Sequence, residues 1–388
     1  PYALELLSRM DHTLSAVMGR QVPGPIRLEV YPSAEELSKV STLTVDQIKT
    51  SGTVALCKWN RLMITTPRAL VRGYPWVDTI AHELTHLYLS YTTQEKAPVW
   101  LQEGTAKLLE RRWRDPSAPY VLEPVSRALL ERANRDNKLL TFDQLHPSIA
   151  LLPSQDDATL AFAQVSTFMN DYVTGHGEAA LRDAFAAIAH GKDARDALAA
   201  AAHTTFAELE KSWKAKLPKA SATPAPRKLA RRFRAGHEDT PDESAEVTQS
   251  EARRFLRVGD MLWTAHRVKA AMLEYDKAHG ADPDDPIVAA RLARAALENG
   301  DAARSLAAVD PLVSRYPEHA PTHAMRGAAL AALGRSADAH TALIEAVRIN
   351  PFDPDPHCVL AKLAETGSQQ SAEQSACSLL GGPSQKSR

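Results

Sequence analysis

Three cysteines in 388 residues, Cys57, Cys358 and Cys377, are too few and too far apart for a disulfide framework, and no CxxC pair offers a thiolate metal knuckle. They are expected to be buried or incidental thiols. An excess of charge is also missing: 46 basic against 47 acidic residues leave a formal net charge of −1. That gives no general attraction for nucleic acid or for an anionic membrane surface. No uninterrupted apolar run reaches the ~18–20 residues of a membrane-spanning helix, so no transmembrane segment is expected. The chain begins at Pro1 and not at methionine. A periplasmic or secreted location is expected if a signal peptide has been removed, and a cytoplasmic one otherwise. What remains is an ordinary globular balance, 44% hydrophobic and 24% charged, in a chain long enough for two or three domains.

The first part of the chain mixes strand and helix signals. "IRLEVY" (26–31) alternates Ile26, Leu28 and Val30 with Arg27, Glu29 and Tyr31, the pattern of a half-buried strand. "TVALCKW" (53–59) and "RLMITT" (61–66) flank Asn60 and predict a tight hairpin without the favoured Asn-Gly turn. From about residue 75 onward the pattern is helical, with Ala-rich amphipathic stretches at 122–137, 158–174, 178–190, 193–202 and 204–217. Residues 218–250 then change character, with four prolines, a basic run from Arg227 to Arg234 and an acidic run from Glu238 to Glu246. Opposite runs side by side in a Pro-rich stretch predict a flexible, solvated linker rather than a nucleic-acid contact.

Beyond it the chain repeats itself. Pro283, Pro317 and Pro351 are spaced by 34 and 34 residues. Small residues recur in register: Gly259, Ala293 and Gly327, then Ala271, Ser305 and Ala339. Apolar positions follow them, as at Leu262, Ala296 and Leu330. Small side chains let two antiparallel helices approach, and a proline ends the second before the next unit starts. This 34-residue pattern over 251–366 resembles the tetratricopeptide repeat, which implies an α-helical solenoid with a groove for a protein partner. The tail, 367–388, is Ser/Gln-rich and expected to be disordered.

The densest chemistry lies in "IAHELTHLYLS" (80–90). His82 and His86 stand one helical turn apart, so both imidazoles can face one ion, while Trp76, Ile80, Leu84 and Leu87 form a different, apolar face. Glu83 points to the flank of a metal-bound water, where it could take that water's proton and later deliver it to a leaving amine. Catalytic zinc usually takes three protein ligands and leaves one position open. The third candidate is Glu103 in "PVWLQEGTAKLLERRW" (98–113), 16 residues beyond His86, enough for a turn and an antiparallel return. Glu110, nearly two turns further, is placed to hydrogen-bond a ligand histidine.

"HELTH" followed by "WLQEGTAKLLE" resembles the gluzincin metallopeptidases, in particular the peptidase MA-like group, over roughly residues 1–217. The resemblance implies an α+β zincin-like domain with a helical subdomain, one Zn2+ held by His82, His86 and Glu103, Glu83 as general base, and a peptide or protein substrate. It also implies that strand 61–65, with Leu62, Met63 and Ile64, pairs with an extended substrate. One position departs from the group's pattern: Phe162 stands in "LAFAQ" where related chains commonly carry tyrosine. That leaves the donor to the oxyanion open among Tyr91, Tyr172 and His176. The alternative to a zinc peptidase is an inactive zinc-binding scaffold whose repeats mediate protein–protein interaction; no nucleic-acid partner is expected.

Overall fold

The computed structural model describes residues 2–58, 60–145, 149, 152–217, 225–234, 242–364 and 366–382. Chain contacts divide it into two units, one of residues 1–65 and 77–227, the other of 66–76 and 228–388. Among the described residues no helix is long and apolar enough to cross a membrane.

The first unit opens with α1 (Tyr2–Met18) and strand β1 (Arg27–Tyr31), followed by the short helices α2 (Ala34–Val40) and α3 (Val45–Ser51). Ser33 caps α2, and Thr44 with Gln47 closes a reciprocal capping box on α3, so both helices start where their side chains satisfy the first free amides. β2 (Ala55–Lys58) and β3 (Arg61–Thr65) form the expected hairpin, with Asn60 at φ 60°. The sheet order is β1-β3-β2, β1 parallel and β2 antiparallel to β3. Leu62, Met63 and Ile64 are therefore in the central strand and almost wholly buried. β1 is less regular than its alternation suggests: it is an edge strand, Val30 is 56% exposed, and Glu29 turns to Arg61 and Tyr31.

After the sheet come α4 (Trp76–Thr93), α5 (Val99–Leu109), α6 (Pro124–Arg135), α7 (Gln155–Ala189), α8 (Ala194–Ala201) and α9 (Phe206–Lys216). The two helices expected at 158–174 and 178–190 run on as α7, broken in its backbone only at Gly177, φ 79°. Trp100 of α5, Phe142, Phe168 of α7 and Phe206 of α9 form an aromatic cluster of edge-to-face and tilted pairs, ring centroids 4.9–6.3 Å apart.

The second unit is built of helix pairs: α10 (Ser250–Thr264) with α11 (Val268–Ala281), α12 (Pro286–Glu298) with α13 (Ala302–Val313), α14 (Ala320–Ala332) with α15 (Ser336–Ile349), and α16 (Pro354–Leu363) with α17 (Gly367–Leu379). The flagged prolines lie in the turns that follow the second helices. At Gly327 a Cβ would sit 2.5 Å from Leu343 Cγ, so only glycine allows α14 and α15 this approach.

Three expectations change. The tail is not disordered over 367–379: it is α17, packed on α16. Cys358 and Cys377 are not incidental thiols but a disulfide, because that hairpin brings their Cα atoms to 4.9 Å. The sequence hides this, since 19 residues of separation mean nothing until the helix pair is known. The described parts of 218–250 are not solvated linker either; residues 218–224 and 235–241 lie outside the described residues. Phe233 forms an antiparallel bridge with Leu70, and Arg72, itself buried, divides its guanidinium among Glu243, Glu246 and the carbonyl of Ala230.

Candidate metal centre

α4 carries the HELTH motif, and its apolar stripe is buried as the spacing requires: Ile80, Leu84 and Leu87 face the core, whereas His82 and His86 keep 14% and 15% of their side chains exposed. Two anchors hold the helix. Tyr88 donates to Asp11 Oδ1 at 2.5 Å, and the buried Asp78 accepts from Arg114 at 2.6 and 2.9 Å and from Trp113 Nε1 at 3.1 Å. The chain leaves α4 through Gln94 and Glu95, both with left-handed backbone, and Pro98 precedes α5. α5 then seats tightly on α7: a Cβ on Gly104 would lie 2.7 Å from Val165 O and 2.8 Å from Met169 Cγ. The glycine beside Glu103 thus fixes how deep that carboxylate stands.

The result is a convergence of three candidate ligands. Glu103 Oε2 lies 3.2 Å from His82 Nε2 and 3.5 Å from His86 Nε2, and one atom from each of the three residues falls within 4.8 Å of the others. Ligand atoms bound tetrahedrally to zinc at about 2.0–2.1 Å lie roughly 3.3 Å apart, so this two-His, one-carboxylate set fits the ion in both chemistry and spacing. On the far side of His82, Nδ1 donates to Glu110 Oε2 at 3.2 Å, and Glu110 Oε1 accepts from Lys107 Nζ at 3.0 Å. Such a carboxylate sets the tautomer and the ring orientation of a ligand histidine.

Charge and burial act together here. Burial disfavours charge on His82, but hydrogen bonds to Glu103 and Glu110 outweigh it and hold the imidazolium up to about 10. Glu110 resists burial through Lys107 and His82 and is held down to about 2. Glu103 is likewise lowered, against burial, by His86 and His82. Glu83, 7% exposed, moves the other way: burial raises it, partly opposed by the charges of His86 and His82 and by a hydrogen bond from the backbone of Cys57. A carboxylate raised toward neutrality is suited to take and return a proton.

The strand assignment needs correction. β3 has a neighbour on each side, so Leu62, Met63 and Ile64 have no free edge to offer a substrate. Among the described residues the open edge beside Glu83 is that of β2, whose Cys57 backbone reaches the carboxylate. No local feature of the sequence distinguishes a central from an edge strand in so short a hairpin. Of the three residues considered as oxyanion donors, Tyr172 has its hydroxyl bonded elsewhere, and His176 and Tyr91 are exposed. Tyr172 gives its hydroxyl to Leu198 O at 3.1 Å, the His176 ring lies 5.3 Å from that of Tyr172, and Tyr91 lies under Arg20. Phe162 instead lines a cavity of about 210 Å³ together with Glu110, Lys107 and Tyr120. Tyr120, whose hydroxyl donates to Ser166 Oγ at 2.7 Å, was not apparent from sequence because no motif surrounds it.

A family model described as Peptidase MA superfamily matches residues 10–219. No curated protein matches the chain. Solved structures similar to part of it include tetratricopeptide-repeat proteins. The first TPR of Spaghetti (RPAP3) bound to the HSP90 peptide SRMEEVD is 21% identical, with 32% of this chain and 97% of that one covered and a TM-score of 0.29. A thermophilic TPR protein of Thermus thermophilus is 23% identical over 33% of this chain and 72% of its own, TM-score 0.30. MamA of Desulfovibrio magneticus is 15% identical over 35% and 77%, TM-score 0.29.

Proposed function

Because the chain belongs to the Peptidase MA superfamily, we propose that it hydrolyses peptide bonds at a single zinc ion held by His82, His86 and Glu103. The observation that carries this is the convergence of those three side chains, with Glu83 next to His82 on the same helix. When bound, the ion would polarise the scissile carbonyl and lower the pKa of its water toward ~7. The chain's own groups do the rest. The Glu83 carboxylate takes a proton from the attacking water and passes it to the leaving amine nitrogen, so that water and amide become acid and amine. Glu110 holds the proton on His82 Nδ1, which leaves Nε2 as the donor atom. The outer edge of β2, which has no neighbouring strand among the described residues, would support an extended peptide through main-chain hydrogen bonds. The repeats recruit substrate or a protein partner.

Phe162, in place of the expected tyrosine, favours one second reading, an inactive zinc-binding scaffold. A single comparison separates the two. Wild-type and Glu83→Gln protein, each loaded with zinc and assayed for metal content, are incubated with a mixed peptide library and read by mass spectrometry. The peptidase reading expects equal metal content and cuts made by wild type alone, abolished by chelator and restored by zinc. Folded, zinc-loaded wild type that makes no cut beyond those of the variant sinks it.

A further inference from the structure

Asp78 and His82 stand four residues apart on one face of α4, and a ring of alternating charge leaves the second and returns to the first. His82 Nδ1 donates to Glu110 Oε2 at 3.2 Å, and Lys107 Nζ donates to Glu110 Oε1 at 3.0 Å. Lys107 Nζ also lies 4.0 Å from Glu123 Oε1, and that same oxygen is 3.6 Å from Arg111 Nη2. Arg111 Nε in turn lies 3.5 Å from Oδ2 of the buried Asp78. Lys107, Glu110 and Arg111 belong to the end of α5 and the turn just past it. Glu123 alone comes from neither helix: it ends the loop that leads into α6, a loop fixed by buried Leu122 and by the Tyr120 hydroxyl on Ser166 Oγ at 2.7 Å.

We propose that Glu123 is a positioning residue for the metal centre: acting through Lys107 and Glu110, it holds the His82 imidazole with Nε2 turned to the ion. Three observations support the assignment. Glu123 occupies the position that normally caps a helix, yet its side chain gives α6 no capping bond and turns to α5 instead. Lys107 and Arg111 are like charges four residues apart, which repel, and the Glu123 carboxylate stands between them. Without it the long, flexible Lys107 stem, already 29% exposed, is pushed away from Glu110. And Glu110 has one oxygen on His82 and the other on Lys107, so its plane is fixed from both sides. Once Lys107 swings out, the carboxylate is free to turn, and His82 Nδ1 loses the acceptor that sets its tautomer and ring orientation. A loop residue three contacts from the ion thereby bears on how the ion is held.

This inference rests on reading His82 as a zinc ligand and on no cleavage, so zinc affinity is what the test reads. Competition with a chromogenic chelator is run on the full chain as wild type, Glu123→Gln, Glu123→Ser, Lys107→Met and Lys107→Met combined with Glu123→Gln, with a melting curve of each stripped protein. Glu123→Ser places a capping side chain at the start of α6, so it removes the carboxylate without endangering the helix. Zinc binding is expected to weaken about three- to tenfold in both Glu123 variants, short of the ~10- to 100-fold of a partner that touches the ligand. The melting temperature of Glu123→Ser is expected to be no lower than that of wild type, which separates positioning from stability. Adding Glu123→Gln to Lys107→Met is expected to change the affinity by less than about twofold, because the route through Lys107 is already cut. In zinc-loaded protein, solvent exchange of the His82 Nδ1 proton, followed by heteronuclear NMR, is expected to quicken in both Glu123 variants. Affinity within about twofold of wild type in both Glu123 variants, or an equal loss with and without Lys107, overturns the proposal. A wild type that takes up no zinc overturns the metal reading and this assignment together, so the two failures are distinguishable.

Discussion

Zinc must compete with a proton at His82, and the size of that competition follows from the structure. In metal-stripped protein the imidazole sits between Glu103 and Glu110 at 3.2 Å each, which holds its pKa up to about 10. At pH 7 such a group is neutral in about one molecule in 10³, so the apparent affinity is reduced by about that factor, roughly 4 kcal/mol. The expected consequence is a tenfold gain in apparent zinc affinity per pH unit between pH 7 and 8, with one proton released per ion bound. A histidine at the ordinary value near 6.5 would change the affinity by only about 1.3-fold over that interval. The two carboxylates, both held low, add nothing to the slope there. The sign for stability follows as well. The imidazolium's contribution to the stripped fold is complete below 6.5 and fades as pH rises through about 10, whereas in the zinc-loaded fold, where His82 is neutral as it is in the unfolded chain, this group leaves stability level over that range. Competition with a chromogenic chelator, corrected for the chelator's own protonation, measures the slope. Calorimetry in two buffers of different ionisation enthalpy counts the proton. A flat affinity from pH 7 to 8 with no proton released would refute the argument.

Other perturbations have equally definite outcomes. Glu110→Gln keeps a hydrogen-bond acceptor for His82 but removes its charge, and zinc affinity is expected to fall ~10- to 100-fold; an unchanged affinity would show that the carboxylate does not act on the ligand. Arg72→Met takes from Glu243 and Glu246 the guanidinium they share and leaves them to Arg291 and Arg232, and denaturant titration is expected to show a loss of about 3 kcal/mol, the low end of the cost of breaking a buried pair. A loss below about 0.5 kcal/mol would mean the network is effectively solvated. Reducing Cys358–Cys377 opens a loop closed over 19 residues and is expected to cost the last helix pair about 3 kcal/mol, read as a lower melting temperature that the Cys358→Ser/Cys377→Ser chain reproduces without reductant.

What could be read in advance was whatever repeats or clusters locally. HELTH puts two histidines on one helix face by spacing alone, and Glu103 follows because α4, a short turn and α5 are contiguous. The 34-residue period is legible for the same reason: each helix pair contacts its sequence neighbours. Features made by distant partners were invisible. Which strand occupies the sheet edge depends on β1 inserting beside β3, and the role of 218–250 depends on Leu70 and Arg72, 158 to 174 residues upstream of the groups Arg72 binds. Composition described that stretch correctly as Pro-rich and charged, but charge of both signs is as good a description of an ion-paired strap as of a solvated linker. Tyr120 belongs to this class too, since its position beside Glu110 is set by a loop and by α7.

Because residues 66–76 belong to the second unit while the chain on either side belongs to the first, the two cannot be made one after the other like beads on a string. During synthesis, Arg72 emerges 171 residues ahead of Glu243, and the Tyr74 amide waits for the Ile349 carbonyl, to which it bonds at 2.9 Å. An N-terminal fragment that ends before the repeats contains every residue of the HELTH centre, yet the stretch that feeds its helix has lost its partners. Such a fragment is therefore a test of folding order before it is a test of chemistry, and its failure to cut a peptide would say nothing about Glu83.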